Sequence, residues 1–191
     1  KNHESTTPES LAPYSVNLST PNLKFVIANS SSLKLFPRPA KLVSINKMNY
    51  IELRNNNLCV DNISALKLTK KYKTPFYCYS LSQLKENFNS FSNTFKTVKP
   101  LICFSVKSNS NLTLLRELKK IGSGADVVSL GELLKAIKAG INPKKIVFSG
   151  VGKTEEEIIA AIKKGILLIN VESESEAVLI NKISKKLSRK T

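Results

Sequence analysis

The sequence predicts an α/β protein in which parallel strands are covered by helices. From residue 84 onward, short apolar runs alternate with segments whose apolar residues recur every three or four positions. Apolar runs of this length are typical of strands buried on both faces, and the wider spacing is typical of amphipathic helices. Helix-start and helix-stop residues flank several of these segments. The pattern fits either a doubly wound sheet or a (β/α)8 barrel, and on this ground alone both stay open.

The region before this alternation is predicted to hold short strands and one helix. Residues 49–53 and 58–60 predict two strands separated by an asparagine-rich turn. Apolar residues at helical spacing predict a short helix over 63–72. A proline then precedes a predicted strand at Phe76–Tyr79.

The alternating region is predicted to contain five helices and four strands. Capping boxes start three of the helices, because a serine or threonine is followed three residues later by glutamate at Ser129, Thr154 and Ser173. Gly140 and Gly165 are suited to the left-handed turn that ends a helix. In chain order, the predicted elements are a helix over 84–95, strand 101–107, helix 112–121, strand 125–128, helix 129–140, strand 146–148, helix 154–165, strand 167–171 and a helix from residue 173.

Composition limits the classes of partner. The 191 residues include 30 Lys and Arg against 14 Asp and Glu, a net charge of +16 that favours anionic partners. The basic residues are scattered over every segment without interleaved aromatics, so we expect a solvated surface and no nucleic-acid site. No apolar run approaches the ~20 residues of a membrane span, and we expect no membrane partner. His3 is the only histidine, which excludes a His-based zinc site and a Ser-His-Asp triad.

Three regions are expected along the chain. Residues 1–47 are rich in Ser, Thr, Asn and Pro and predict a disordered extension, read either as a spurious translation ahead of Met48 or, less simply, as an organellar transit peptide. Residues 48–80 hold the first strands and helix, and residues 81–191 hold the alternating region. Three cysteines, odd in number and far apart, indicate reduced thiols and a cytoplasmic protein.

Lys107 is the candidate catalytic residue, because it ends a strongly apolar predicted strand. Burying an unpaired ammonium is costly, so this lysine either reaches water at the strand end or takes part in chemistry. Chemistry at a lysine usually means a Schiff base with a carbonyl compound. Asp126 lies in the next predicted strand, and a buried carboxylate there needs a partner. Lys107 is the expected partner, in a structural salt bridge or in a pair that orients the lysine.

Two further motifs have plain structural explanations. Ser129 and Glu132 are explained by helix capping, although a cap at this end of the sheet also faces the candidate pocket. Gly150–Thr154 resembles the end of a phosphate-binding P-loop. The required earlier glycine is replaced by Val147, so we interpret the segment as a tight turn with no nucleotide.

Several blocks of the sequence resemble a known enzyme family. Phe104–Asn109, Gly122–Leu133 and Ile146–Thr154 are similar, in that order, to blocks of the alanine-racemase-like pyridoxal phosphate (PLP) decarboxylases, and the third is most typical of their diaminopimelate branch. Ser105 departs from this pattern, since the family usually has alanine or proline there, and Leu130 stands where glycine is common.

The resemblance implies a fold and an activity. It implies a partial PLP-binding (β/α)8 barrel, truncated after about four strands and lacking a C-terminal β-domain. Lys107 would be the catalytic residue that holds PLP as a Schiff base, with Asp126, Ser129 and Glu132 around the cofactor. The reaction implied is decarboxylation of meso-2,6-diaminopimelate, a small amino-acid substrate, to L-lysine and CO2 in lysine biosynthesis, by a homodimer. Further family site residues would lie beyond Thr191, so we expect this chain to be inactive by itself.

Two alternatives stay open. The first is a sister PLP decarboxylase acting on ornithine, arginine or carboxynorspermidine, because the residues that select the substrate would lie mostly outside this sequence. The second is a non-catalytic paralogue or a basic nucleic-acid-binding module. The complete pattern around Lys107 speaks against a degenerate paralogue.

Overall fold

The computed structural model describes residues 25–28 and 50–189, and this part of the chain forms two sheets and six α-helices. The strands are β1 (Phe25–Ala28), β2 (Ile51–Arg54), β3 (Asn57–Val60), β4 (Ile63–Ser64), β5 (Leu101–Ser105), β6 (Gly124–Val127), β7 (Ile146–Phe148) and β8 (Leu168–Ile169). The helices are α1 (Ala65–Lys71), α2 (Leu81–Thr94), α3 (Leu112–Lys120), α4 (Leu130–Lys138), α5 (Glu155–Lys164) and α6 (Glu174–Lys186).

The larger sheet has the strand order β1-β5-β6-β7-β8. Strands β5 to β8 are parallel and follow the order of the chain, with Ser105 opposite Asp126 and Val127 opposite Phe148. Strand β1 pairs antiparallel with β5 at the edge. Strands β2 to β4 form a separate antiparallel sheet. The predicted parallel sheet with intervening helices is therefore confirmed.

The helices that follow these strands form one layer. Helix α3 contacts α4, α4 contacts α5, and α5 contacts α6, in the order of the chain. A doubly wound sheet reverses its strand order and carries helices on both faces, whereas a barrel wall keeps both strands and helices in sequence. The structure thus has the order of a barrel wall.

A single apolar core joins the sheet to the helices. Side chains alternate between the two faces of a strand, and every second residue of β5 to β8 belongs to this core. Full burial of one such large side chain contributes roughly 1.5–3 kcal/mol to folding. Its fully buried members include Phe104, Val127 and Phe148 from the strands and Leu115, Leu118, Leu133 and Ile158 from the helices.

Two predicted strands differ from the structure in a way that matters for the site. Strand β5 ends at Ser105, and Val106–Ser108 form a 3-10 turn, so Lys107 lies beyond the strand rather than at its last position. No strand forms at Phe76–Tyr79. This segment is exposed, Tyr77 at 90%, and it pairs with no strand of the described residues, so its apolar composition does not produce a strand.

Most of the predicted extension, residues 1–47, lies outside the described residues, as does Met48. The exception is β1, which forms within that range. No helix in the described part of the chain is long and apolar enough to cross a membrane.

Candidate active site

Lys107 lies where the chain turns from β5 toward α3. The 3-10 turn is closed by two hydrogen bonds, from Asn109 N to Val106 O (3.1 Å) and from Ser108 Oγ to Ser105 O (2.7 Å). Lys107 is exposed, and it makes no ion pair within 4 Å with any described residue. Its amine is therefore accessible at the carboxyl end of the sheet, where parallel α/β folds place their chemistry.

Asp126 is buried on the neighbouring strand, with 3% of its surface exposed. Burial raises the pKa of its carboxyl group above the ordinary value of 3.8. A hydrogen bond from Ser149 and the positive charge of Lys107 oppose that rise. Asp126 therefore holds its proton to higher pH than an exposed aspartate does.

The partner of Asp126 differs from the prediction. Ser149 Oγ donates to Asp126 Oδ1 over 2.5 Å, whereas Lys107 lies beyond ion-pair distance. The reason is the early end of β5, since Lys107 stands two residues past the last strand position. The lysine acts on the carboxylate through its charge at longer range.

Ser105 contributes a buried hydroxyl group beside Asp126. It is 1% exposed, and its Oγ has no hydrogen-bond partner among the residues that the structure describes. It lies opposite Asp126 in the strand register, and its hydroxyl dipole is near enough to lower the pKa of that carboxyl, although the two groups fall short of hydrogen-bond geometry. A buried hydroxyl without a partner is costly in a folded protein.

Asn170 is a site residue that the sequence interpretation missed. Its backbone N donates to Phe148 O (2.8 Å) just past the end of β8, and its side-chain Nδ2 donates to Ser149 Oγ (2.9 Å). Asn170, Ser149 and Asp126 thus form a row of linked polar groups across three strands. An asparagine that interrupts the apolar run 167–171 was the available signal.

Ser129 and Glu132 act as the predicted cap of α4. Ser129 Oγ accepts from Glu132 N (3.3 Å), and Glu132 Oε2 accepts from Val128 N (2.9 Å). The capping role is confirmed, and the carboxylate reaches one residue further back than in a standard capping box. Both residues stand at the same end of the sheet as Lys107, and their contact with a cofactor remains a prediction.

Lys153 occupies the turn that resembles a P-loop. Its Nζ contacts three oxygen atoms of the protein, Gly150 O (2.7 Å), Asn170 O (2.6 Å) and Glu176 Oε1 (3.1 Å). The ammonium group points into the protein, with 2% of the side chain exposed. It is not available to a phosphate, which agrees with the interpretation of this segment as a tight turn.

Comparison with known proteins identifies the family. A family model for the pyridoxal-binding domain of pyridoxal-dependent decarboxylases matches residues 81–190, more than half of the chain. The chain belongs to this family. The predicted PLP-decarboxylase resemblance is thereby confirmed, and so is the partial barrel rather than a doubly wound sheet.

Curated relatives in this decarboxylase family share a name. The chain is 50% identical to diaminopimelate decarboxylase of Helicobacter pylori over 124 residues, 65% of the chain and 31% of the relative. It is 43% identical to diaminopimelate decarboxylase of Aquifex aeolicus over 141 residues, 74% of the chain and 33% of the relative. The chain therefore spans about a third of the length of these relatives.

Solved structures of the family have the same fold. A crystal structure of an Aquifex aeolicus protein superposes with a TM-score of 0.71 at 43% identity, over 74% of this chain and 35% of that one. Diaminopimelate decarboxylase of M. jannaschii in complex with L-lysine gives 0.69 at 38% identity, over 73% and 34%. Ornithine decarboxylase of Entamoeba histolytica gives 0.56 at 28% identity, over 63% and 38%.

The residues around Lys107 fit the cofactor of this decarboxylase family. PLP needs a primary amine to bind its aldehyde carbon, and Lys107 presents one at the strand end. PLP also carries polar groups that need hydrogen-bond partners. The Ser105 hydroxyl is buried without a partner among the described residues. The arrangement is chemically suited to a carbonyl cofactor.

Proposed function

We propose that this chain is the lysine-bearing part of a PLP-dependent decarboxylase that converts meso-diaminopimelate to L-lysine and CO2. The observation that carries the proposal is the accessible amine of Lys107 beside the buried carboxyl of Asp126, within a chain of the pyridoxal-dependent decarboxylase family. Relatives named diaminopimelate decarboxylase reach 50% identity, against 28% for the ornithine decarboxylase structure. This difference favours diaminopimelate over the sister substrates.

Lys107 would be the group that binds the cofactor covalently. A lysine attacks a carbonyl carbon only as the neutral amine, so Nζ must release a proton before attachment. Exposure of Lys107 lets that proton pass to water. PLP, when bound, withdraws electrons from the α-carbon of an amino acid and so allows the carboxylate to leave as CO2.

Asp126 would act next to the lysine. Its Oδ1 is occupied by the Ser149 hydroxyl, whereas no hydrogen bond from the described residues reaches Oδ2. Oδ2 is thus available to accept a hydrogen bond from the amine of Lys107 when the lysine side chain turns inward. Because burial raises the pKa of this carboxyl, Asp126 can also hold a proton at a pH where an exposed aspartate is ionised.

Residues outside the chain are needed for the complete reaction under this proposal. The chain spans about a third of its curated relatives, so we expect the 191-residue chain alone to release no CO2. We expect the whole protein to be a cytoplasmic homodimer.

The test is CO2 release by the full-length protein that contains this chain, loaded with PLP. Meso-diaminopimelate, ornithine, arginine and carboxynorspermidine are compared as substrates, with Lys107→Ala as the control. Release from meso-diaminopimelate that is lost in the Lys107→Ala variant is expected. Release from one of the other three alone would refute the proposed substrate, and release from none would refute the activity.

A further inference from the structure

Lys153 is a buried lysine that the proposed reaction does not use. Its side chain is 2% exposed and that of its partner Glu176 is 9% exposed. The three acceptors of Lys153 belong to different parts of the fold, namely the turn after β7 (Gly150 O), the residue after β8 (Asn170 O) and helix α6 (Glu176). Lys153 therefore ties the ends of two neighbouring strands together.

Glu176 is fixed as firmly as the lysine. Its Oε1 pairs with Lys153, and its Oε2 accepts from Glu172 N over 2.7 Å. The backbone N of Glu176 in turn donates to Ser173 Oγ at the start of α6. The ammonium group has three acceptors, and both oxygens of the carboxylate are occupied. This set of contacts restricts the pair to one geometry.

Asn170 transmits this geometry to the site. Its carbonyl oxygen accepts from Lys153 Nζ, and its side-chain Nδ2 donates to Ser149 Oγ. A side-chain amide nitrogen can only donate, so Ser149 must accept there and give its single proton elsewhere. That proton goes to Asp126 Oδ1, 2.5 Å away. The direction of every bond from Lys153 to Asp126 is thereby fixed.

We propose that Lys153 is a positioning residue for Asp126, acting through Asn170 and Ser149, with Glu176 holding the lysine in place. Lys153 does not touch the reacting atoms. It sets the orientation of the Ser149 hydroxyl, which keeps one oxygen of Asp126 occupied and leaves the other for the amine of Lys107. The importance of this arrangement for catalysis rests on the proposed function, whereas the hydrogen-bonded connection does not.

The hydrogen-bonded connection from Lys153 to Asp126 is tested in the full-length protein that contains this chain, prepared without PLP. The measurement is the pH titration of the Asp126 carboxyl carbon by 13C NMR, in Ser149→Ala, Asn170→Ala and the double variant Lys153→Met/Glu176→Gln. The double variant removes both charges, so that no unpaired buried charge is left to unfold the protein. The control is Lys163→Met, which removes an exposed charge from α5.

The titration midpoint of Asp126 should rise in Ser149→Ala, in Asn170→Ala and in the double variant. The reason is that the Ser149 hydrogen bond favours the ionised carboxylate. The midpoint should stay unchanged in the control. Within the described part of the chain, Lys107 and Cys103 are the other ionisable groups that act on Asp126, and no variant alters them. A midpoint that moves only in Ser149→Ala would overturn the proposal, because the connection would then end at Ser149.

The consequence for catalysis is tested in the full-length, PLP-loaded protein. We expect kcat to fall roughly 10- to 100-fold in Lys153→Met/Glu176→Gln, as for other displaced reacting groups, and to fall little further when Ser149→Ala is added. Losses that multiply would contradict action through Ser149. If the variants show the expected NMR shifts but the wild-type protein releases no CO2, the proposed function is refuted and the hydrogen-bonded connection still stands.

Discussion

Ser149 Oγ donates a 2.5 Å hydrogen bond to Asp126 Oδ1, joining the ends of β7 and β6 on the face of the sheet opposite the apolar core. Ser149 thus takes the place next to the carboxylate that the sequence assigned to Lys107. The lysine is left accessible as a result. A lysine held in a tight salt bridge would have to break that pair before its amine could attack a carbonyl group.

Asp126→Asn should stabilise the protein at neutral pH. Burial raises the folded-state pKa of Asp126 above 3.8. At low pH the carboxyl is protonated in both the folded and the unfolded state, so it does not reduce the free energy of unfolding. As the pH rises past 3.8, the unfolded state loses its proton first, and the wild type loses stability. Chemical unfolding from about pH 3 to about pH 8 should show the two proteins diverging with rising pH. The raised pKa of Asp126 would be contradicted if the difference in stability stayed constant, or if the wild type became more stable relative to the variant as the pH rises.

Ser105→Ala and Ser149→Ala should have opposite effects on stability. The Ser105 hydroxyl is buried without a partner, so its removal should be neutral or stabilising by up to about 1 kcal/mol. Removal of the Ser149 hydroxyl leaves Asp126 buried without its donor and should cost roughly 1–3 kcal/mol. Urea unfolding of both variants makes the comparison, and equal losses would show that Ser105 has a partner.

The sequence predicted most of the fold because the core pattern is local. Apolar runs, helical spacing and caps located β5 to β8 and the five helices beside them, and Ser129, Thr154 and Ser173 each cap a helix. The false strand at Phe76–Tyr79 shows the limit of such patterns. A strand needs a neighbouring strand to pair with, and the sequence of the segment alone does not determine whether one is present.

The site was predictable in its residues but not in its contacts. Lys107 and Asp126 stand out as polar residues in apolar strands, whereas their separation depends on β5 ending at Ser105. The hydrogen bonds of Ser149 and Asn170 depend on the register of three parallel strands. That register is set by packing across the sheet, so no local pattern reveals it.

Gly124→Ala should be strongly destabilising, and Gly131→Ala should not be. A Cβ atom at Gly124 would overlap Lys145 O and lie 2.7 Å from Cys103 Sγ, so we expect a loss of about 3 kcal/mol or more. At Gly131, in the first turn of α4, the atom nearest to an added Cβ would be 3.9 Å away. Alanine there should increase the free energy of unfolding by about 0.5 kcal/mol. Thermal unfolding compares the pair. A tolerated Gly124→Ala would mean that β6 packs less closely against its neighbours.

Glu157→Ala should weaken the start of two helices. Glu157 accepts from Thr154 N (3.0 Å) at α5 and from Leu130 N (3.0 Å) at α4, and these bonds lower its pKa. We expect a loss of roughly 1–2 kcal/mol at neutral pH. Glu156→Ala, an exposed change in the same turn, should cost less, about 0.3–1 kcal/mol.

The contribution of Glu157 should depend on pH. Because the folded-state pKa of Glu157 is lowered, its contribution is complete above the ordinary value of 4.5 and is lost as the pH falls below it. The difference in stability between Glu157→Ala and the wild type should therefore be smaller at about pH 3 than at about pH 7. An equal gap at both values would show that the carboxylate does not carry the effect.

If Lys107 binds PLP, reduction should leave the cofactor covalently attached to this residue. The full-length protein is incubated with PLP, reduced with sodium borohydride, digested and analysed by mass spectrometry, with Lys107→Ala and Lys153→Met/Glu176→Gln as comparisons. We expect a reduced pyridoxyl group on Lys107 in the wild type and none on the corresponding peptide of the Lys107→Ala variant. A label distributed over the exposed lysines, or one that persists at equal yield in Lys107→Ala, would contradict this expectation.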